Sequence, residues 1–208
     1  MVGYKIVLAS NSPRRRELLA GLDIDFEVRV LPGIDESYPE ALSALETAEY
    51  IAGKKAEAYK QVMADDELII TADTVVIVGD EVLGKPANDI EAAVMLRKLS
   101  GRSHQVVTGV CLTTVQKEVR FSVVTEVTFK QLTETEIEYY VKKYQPLDKA
   151  GAYGIQEWIG YIGCTGLSLN LNIVLIGLVV SVLYFNVVFL VFGVKFFIVD
   201  RVFHVRLL

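Results

Sequence analysis

The chain has 208 residues, of which 52% are hydrophobic, and its 21 basic and 26 acidic side chains give a net charge of −5. This length is enough for one domain with its own core, and the acidic balance argues against a general nucleic-acid binder. The two cysteines, Cys111 and Cys164, lack metal-type spacing. We therefore expect neither a disulfide framework nor a zinc ribbon, but free thiols in a reducing cytoplasm.

Strand and helix patterns alternate along the first 157 residues, after a short apolar start that is typical of a buried strand rather than a secretory signal. Ser12 before Pro13 predicts a helix start, and Thr133 with Glu136 predicts a capping box. The predicted elements are strand 4–9, helix 13–21, strand 26–30, helix 42–63, strand 68–72, a hairpin of strands 75–78 and 81–83, helix 89–99, strands 105–114 and 119–130, and helix 133–143. This order indicates the α/β class with a mixed sheet.

The first polar cluster joins the first strand to the first helix, from Ser10 to Arg15. The backbone N–H groups at a helix N-terminus favour an anion, and the adjacent Arg14 and Arg15 add fork-shaped donors that suit phosphate. The alternative is an ordinary capped helix with solvated arginines. The cluster therefore predicts a phosphate-binding turn without excluding that simpler interpretation.

Three further clusters stand where strands are predicted to end. Asp73 follows an apolar run. In a functional interpretation it acts as a metal ligand or a general base. In a structural one it caps a turn. The glycine-rich segment 147–156 either approaches a ligand closely or is a plain loop, and its Gln156 amide could read a base edge. Lys85 lies on a Gly-Lys-Pro turn, where it would meet a phosphate or be solvated. The combination favours hydrolysis of a nucleotide phosphoanhydride.

These clusters also occur in the order and spacing of a known family. The motifs are Ser10-Asn11-Ser12-Pro13-Arg14-Arg15-x-Glu17-Leu18-Leu19, Asp35-Glu36, Ala52-x-x-Lys55-Ala56, Ala72-Asp73-Thr74, Gly84-Lys85-Pro86, Leu99-Ser100-Gly101-Arg102-Ser103-His104, Thr108-Gly109-Val110 and Asp148-Lys149-Ala150-Gly151-Ala152-Tyr153-Gly154-Ile155-Gln156. Over about residues 4–163 the chain resembles the Maf family of nucleoside triphosphate pyrophosphatases.

The resemblance implies a reaction, a fold and a cellular setting. The family cleaves nucleoside triphosphates between the α and β phosphates with Mg²⁺ or Mn²⁺, and it is linked to nucleotide-pool cleaning and septum formation. It implies an elongated mixed sheet flanked by helices in two lobes, similar to the inosine triphosphate pyrophosphatases. A cytoplasmic protein that acts on a nucleoside triphosphate is expected, with a possible homodimer and with neither nucleic acid nor membrane as a partner.

The resemblance also implies residue roles. Asp73 matches the family's proton acceptor, whereas Arg14, Thr74 and Gln156 match positions tied to substrate choice. The Gly-Ile-Gln form of the last motif resembles the branch that acts on dTTP and UTP. The remaining polar pocket is matched by Ser10, Arg15, Glu36, Lys55 and Lys85.

Phosphate chemistry gives these residues complementary tasks. Glu36 and Asp73 would hold the divalent metal, and Asp73 would orient or deprotonate the attacking water. Basic side chains would stabilise charge on the phosphate oxygens; these are Lys55, Lys85, Arg14 and Arg15. Lys55 and Lys85 are therefore assigned to catalysis with Asp73. Ser10 and Ser12 have no neighbouring histidine to activate them, and His104 is expected to be structural.

The C-terminal segment has a different composition. Residues 158–208 contain four charged side chains, against 43 in the first 157. We therefore divide the chain into a pyrophosphatase-like domain, 1–163, and an atypical apolar segment, 164–208. Three origins of this segment remain open: a membrane or partner-binding stretch, buried strands that complete the domain, and an altered sequence. A nucleotide sensor without turnover and a division-linked interaction protein, tethered through this segment, are the alternative functions.

Overall fold

The computed structural model describes residues 4–169, which form a seven-stranded sheet with helices against both faces. The strands are β1 (Lys5–Leu8), β2 (Phe26–Val28), β3 (Glu67–Val78), β4 (Glu81–Leu83), β5 (Ser103–Thr113), β6 (Glu118–Phe129) and β7 (Cys164–Leu169). The helices are α1 (Pro13–Ala20), α2 (Ala44–Lys60), α3 (Asp89–Leu99), α4 (Glu134–Tyr144) and α5 (Trp158–Gly163), and a short 3₁₀ turn spans Ala150–Ala152.

The sheet is mixed, as the alternation of elements predicted. Its strand order is β2-β1-β3-β5-β6-β7, with β4 beside β3. Strand β1 runs parallel to both β2 and β3, whereas the pairs β3–β4, β3–β5, β5–β6 and β6–β7 are antiparallel. The predicted α/β class with a helix-flanked mixed sheet is therefore confirmed.

The helix starts follow the local signals in the sequence. The Ser12 side chain caps α1 by accepting from the N–H of Arg15, with Pro13 at the first helical position. Thr133 and Glu136 form the expected capping box of α4. Each cap satisfies backbone N–H groups that the first helical turn leaves without partners.

The predicted break at Asp73 is wrong, because β3 is one continuous strand of 12 residues. Antiparallel pairing with β5 extends without interruption from Ile69 opposite Thr113 to Ile77 opposite Gln105. This long-range ladder keeps Asp73 extended despite its low strand propensity. Asp73 thus lies in the middle of a strand and not at its end.

The other edge of β3 has a gap beside Asp73. Along this edge Ile70 pairs with Leu8 of β1, and Val76 pairs with Leu83 of β4. Within residues 4–169, no strand pairs with this edge between those two positions. The backbone of residues 71–75 therefore has no strand partner on this edge, at the centre of the sheet.

The alternating side chains of β3 contribute to hydrophobic clusters on both faces of the sheet. Val75 and Ile77 pack with Ala48 of α2 on one face. Val76 faces the opposite way, into the largest cluster, which also contains Leu96 of α3 and Tyr140 of α4. Burial on both faces explains why this strand is apolar along most of its length.

The apolar stretch after residue 157 begins with two elements that the sequence did not predict. Helix α5 leads directly into β7, which pairs with β6 in the same sheet. The proposed division into 1–163 and 164–208 stays a prediction, since residues 170–208 lie outside the described part of the chain. Within the described part, no helix is both long and apolar enough to span a membrane.

Helix α2 approaches the sheet in backbone contact at Gly109 of β5. A Cβ atom built on Gly109 would lie 2.3 Å from the carbonyl carbon of Ala48 and 2.3 Å from the amide nitrogen of Glu49. Gly109 is also the β5 residue paired with Asp73. The absence of a side chain here lets α2 pass close to the centre of β3.

We expect Gly109→Ala to lower the free energy of unfolding by about 3 kcal/mol, because the new methyl group must push rigid backbone atoms apart. Denaturant unfolding followed by circular dichroism measures this. The matched control is Gly84→Ala, where a Cβ meets nothing within 4 Å and the change should stay within about 0.5 kcal/mol. Equal losses in both variants would contradict the close approach.

Candidate functional site

The Arg15 guanidinium fills the gap along the open edge of β3. It donates to the carbonyl oxygen of Ala72 (2.9 Å) and to the hydroxyl oxygen of Thr74 (3.1 Å). It also donates to the hydroxyl oxygen of the buried Ser10 (3.3 Å), which accepts from the N–H of Ser12 as well. The predicted turn between β1 and α1 therefore places a fixed cation at the centre of the sheet.

Arg15 stays charged despite its partial burial. Burial lowers the pKa of Arg15, and the negative charges of Asp73 and Glu36 offset part of that effect. A guanidinium remains protonated at neutral pH even when its pKa falls moderately. The two carboxylates thus help to retain the positive charge of a partly buried guanidinium.

The Lys55 ammonium joins two carboxylates beside this arginine. Its Nζ atom lies 2.8 Å from Asp73 Oδ1 and 3.0 Å from Glu36 Oε1. The side chains of Lys55 and Asp73 are only 14% and 16% exposed, whereas Glu36 is 51% exposed. The site therefore has a sheltered inner pair and one outer carboxylate that is open to solvent.

A second ion pair holds the loop that carries Glu36. Lys54, next to Lys55 on α2, donates to Asp35 Oδ2 (2.8 Å) and to the carbonyl oxygen of Ser37 (2.9 Å). The Lys54 ammonium, followed by the Ser37 hydroxyl and N–H, holds the pKa of the Asp35 carboxyl well below its usual range. Two consecutive lysines thus hold two consecutive acids. The sequence shows that these residues are adjacent, but it does not show which lysine pairs with which acid.

Thr108 is a member of the site that the sequence analysis assigned no role. Its hydroxyl oxygen lies 3.1 Å from that of Thr74, the residue opposite it across the β3–β5 ladder. Thr74 is consequently held between Arg15 and Thr108. The quoted Thr-Gly-Val motif contained the residue, but the partner became visible only through the strand register.

The predicted site residues fall into two groups. The structure brings six of them together around the gap in β3, namely Ser10, Arg15, Glu36, Lys55, Asp73 and Thr74. The other three are exposed, and within residues 4–169 their side chains form no hydrogen bond or ion pair, namely Arg14, Lys85 and Gln156. The polar cluster predicted from motifs is thus partly assembled and partly free to meet a ligand.

The turn that carries Lys85 is linked to the glycine-rich loop. The carbonyl oxygen of Gly84 accepts from the N–H of Gly151 (3.0 Å). The Lys149 ammonium first, and Lys85 to a smaller degree, lower the pKa of Asp148 in that loop. Lys85 and the loop before Gln156 are therefore neighbours.

The donor set around Lys55 fits a divalent cation that is completed by a ligand. Within the described residues, no group of three or more His, Cys, Asp or Glu side chains stands close enough to form a metal cage by itself. Glu36 and Asp73 nevertheless converge on one cation, the Lys55 ammonium. Two carboxylates with water and substrate phosphates form the usual environment of Mg²⁺ in nucleotide enzymes.

His104 lies away from this site, in the largest hydrophobic cluster. It is 2% exposed, its Nε2 atom lies 2.7 Å from the Tyr153 hydroxyl, and its ring meets Phe129 edge to face. Burial lowers the pKa of His104 to about 4, against a smaller opposing effect of the Arg102 backbone. The imidazole is therefore neutral near pH 7 and serves the core, as expected.

The cysteines do not take part in the site either. Cys111 is a buried free thiol of β5, and Cys164 is a partly buried free thiol at the start of β7. Burial raises the pKa of both thiols. The expectation of free cysteines is confirmed.

Together, fold and site define an α/β protein whose sheet centre presents two cations and two carboxylates to a polyanionic ligand. The sequence comparison agrees with this class: the family described as Maf-like protein matches residues 5–184. The chain belongs to this family.

Its relatives are similar over most of their own lengths. A protein of Parabacteroides distasonis named dTTP/UTP pyrophosphatase is 65% identical over 160 residues, which cover 77% of this chain and 83% of the relative. A protein of Phocaeicola vulgatus with the same name is 61% identical over 165 residues, covering 79% and 86%. Among solved structures, the Staphylococcus aureus Ham1 protein is 21% identical, with a TM-score of 0.45 over 76% of this chain and 90% of that one.

The neutral state of His104 makes stability depend on pH. The pKa of His104 is about 4 in the folded chain and about 6.5 in the unfolded chain. The stabilisation that comes from keeping the ring neutral is therefore complete above pH 6.5 and decreases as the pH falls towards 4. Between pH 7.5 and 5 we expect a loss of about 2 kcal/mol from this residue. His104→Gln removes the titrating group, so urea unfolding of that variant should show a correspondingly smaller pH dependence. Identical dependence in the two proteins would contradict the buried neutral state.

Proposed function

We propose that this chain hydrolyses nucleoside triphosphates between the α and β phosphates, releasing the monophosphate and pyrophosphate, with dTTP and UTP as substrates. The observation that carries the proposal is the Lys55 ammonium between Asp73 and Glu36, with the Arg15 guanidinium beside them. Relatives named dTTP/UTP pyrophosphatase, up to 65% identical, support this choice of reaction and substrate.

The charges of the site suit a triphosphate. At neutral pH a nucleoside triphosphate carries about four negative charges, which must be offset before water attacks phosphorus. Arg15 is anchored to the sheet backbone, so it holds its position without the ligand. Arg14 and Lys85 are exposed and supply donors that remain available. Ser10 completes the turn by orienting Arg15.

A divalent cation, Mg²⁺ or Mn²⁺, would be held by Glu36 and Asp73 together with phosphate oxygens. When bound, it supplies charge neutralisation and acidifies coordinated water. Glu36 is the more exposed of the two carboxylates, so it is accessible to a cation that arrives with the nucleotide. Lys55 lies within reach of both acids, so its charge would remain available to Asp73 and to the phosphates.

Asp73 acts as the general base in this scheme. Its position in the middle of β3 fixes the backbone on one side through the β5 ladder, and Lys55 fixes one carboxylate oxygen at 2.8 Å. The second oxygen remains to orient and deprotonate water. Lys55 thereby serves catalysis twice, by aligning the base and by stabilising charge on the phosphates.

Substrate choice is assigned to Arg14, Thr74 and Gln156. Thr74 is held by Arg15 and Thr108, so its contact with a ligand is rigid. The exposed Gln156 amide carries one acceptor and two donors, which suit the carbonyl and N–H edge of uracil or thymine. The charge-based contacts would be common to all triphosphates, and this amide would distinguish the base.

Two alternatives are weaker. A sensor that binds nucleotides without turnover would not need a base aligned by an ammonium, yet the Asp73–Lys55 pair is present. A division-linked, membrane-tethered protein would depend on residues 170–208, which lie outside the described part of the chain. We propose that the protein acts in the cytoplasm on a free nucleotide, as a homodimer and without a nucleic-acid or membrane partner.

Asp73→Asn should reduce pyrophosphate release from dTTP and UTP about a thousandfold, because an amide of the same shape cannot accept the proton. A coupled phosphate assay with Mg²⁺ measures the rate. Asp80→Asn, on the exposed β3–β4 turn, is the matched control and should retain full activity. Turnover in Asp73→Asn close to that of the control would remove Asp73 from its assigned role.

Glu36→Gln should raise the Mg²⁺ concentration needed for half-maximal activity by about tenfold or more, since one of two anionic metal ligands is lost. A titration of activity with Mg²⁺ at saturating UTP measures the shift. Glu81→Gln, in an exposed pair with Lys98 on the surface, serves as the control. If Glu36→Gln needs no more Mg²⁺ than this control, Glu36 is not a metal ligand.

A further inference from the structure

The segment before Gln156 is tied to a buried tyrosine of α4. Tyr140 has no exposed surface, and its hydroxyl oxygen accepts from the N–H of Gly154 (3.0 Å). The same hydroxyl donates to the carboxylate of Glu157. One phenol thus binds the loop at two points, one on each side of Gln156.

Glu157 connects this phenol to the beginning of the loop. Its second oxygen lies 3.2 Å from the ammonium of Lys149, which also contacts Asp148 (2.8 Å). An ion pair therefore joins Lys149 to Glu157, eight residues further along the chain. This ion pair closes the loop, and the hydrogen bonds of Tyr140 attach it to α4.

Electrostatics keep this connection in one protonation state. Burial first, and the hydrogen bond to Glu157 second, raise the pKa of Tyr140 far above neutral pH. Burial lowers the pKa of Lys149, but Asp148 and Glu157 more than offset that effect. The phenol therefore remains a donor, and the lysine remains a cation, throughout the physiological range.

The backbone between the two anchor points forms one tight turn. The N–H of Glu157 donates to the carbonyl oxygen of Gly154 (2.9 Å), with Gln156 exposed inside the turn. A Cβ atom on Gly154 would lie 2.9 Å from the carboxyl carbon of Glu157, so the turn has no spare room. The direction in which Gln156 leaves the turn is thus set by Tyr140 and Glu157.

We propose that Tyr140 and Glu157 are positioning residues that set the base selectivity of the site by fixing the turn that carries Gln156. This inference rests on the proposed function, since it assigns Gln156 to the base of the bound nucleotide. Two hydrogen bonds to a base edge discriminate only when the amide is held in place. Neither residue needs to touch the nucleotide or the phosphates.

Removal of the phenol hydroxyl should loosen the turn selectively. In Tyr140→Phe the buried N–H of Gly154 loses its acceptor and Glu157 loses a donor, while the ring still fills the core. The contacts of Arg15, Lys55 and Asp73 lie on other elements and are unaffected. Selectivity between bases should therefore decline while the chemistry of the phosphates persists.

The experiment compares Tyr140→Phe with Tyr139→Phe in the full chain. Tyr139 is adjacent, 42% exposed, and contacts Lys143 and Trp158 instead. We measure Kd by calorimetry for the α,β-imido analogues of UTP and CTP, and kcat and KM for UTP and CTP. In Tyr140→Phe the UTP preference should fall at least fivefold, through Kd and KM, with kcat for UTP changing less than twofold. Tyr139→Phe should match the wild type.

A second pair of variants tests the same connection from the carboxylate. Glu157→Ala should lose the UTP preference to the same extent, and Glu157→Gln, which still accepts from Tyr140, should recover most of it. This pair also decides the matter if Tyr140→Phe does not fold. An unchanged UTP preference in Glu157→Ala, or a loss confined to kcat, overturns the proposal.

The binding measurement separates this proposal from the proposed function. If the wild type binds the UTP analogue selectively but releases no pyrophosphate, hydrolysis fails while the variants still test the positioning role. If the wild type binds both analogues equally, the assignment of base selectivity to this turn is overturned whatever the turnover. Each result therefore supports or contradicts one of the two statements.

Discussion

The ion pair between Lys55 and Asp73 is the interaction on which the arrangement of the site depends. It joins a helix to the centre of the sheet across a distance of 2.8 Å, and a lysine side chain is only long enough if the helix lies close. The close passage of α2 over Gly109, the residue that pairs with Asp73, provides that proximity. The absence of a side chain at Gly109 on β5 thus allows the Lys55 ammonium to reach Asp73 on the neighbouring strand β3.

The gap in β3 explains why the site lies at the centre of the sheet and not at a strand end. Strand β1 stops pairing at Ile70 and β4 starts at Val76, so the intervening backbone needs another partner. The Arg15 guanidinium supplies one for the carbonyl of Ala72. A buried backbone group is satisfied, and the same hydrogen bond holds the Arg15 cation in a fixed position.

Local features of the sequence predicted the helices well, because a cap such as Thr133 with Glu136 acts within one turn. The break predicted at Asp73 was wrong because the pairing that keeps β3 continuous comes from β5, more than 30 residues away. The same reason hid Thr108 and Tyr140, whose partners are set by strand register and helix packing. Motif order nevertheless pointed to the six central residues, and the structure places them around the same gap in β3.

The site consists of two parts with different chemistry, one charged and one that carries the neutral amide of Gln156. Charge governs the part built from α1, α2 and β3, where Arg15 and Lys55 lie, and charge alone does not distinguish one nucleoside triphosphate from another. The segment that carries Gln156 is attached to α4 by the two hydrogen bonds of the Tyr140 hydroxyl. The hydrogen bond from Gly151 to Gly84 joins this segment to the turn of Lys85. Under the proposed function, a change in this segment would reach Lys85 through one backbone contact, so that recognition of the base would be linked to the placement of charge.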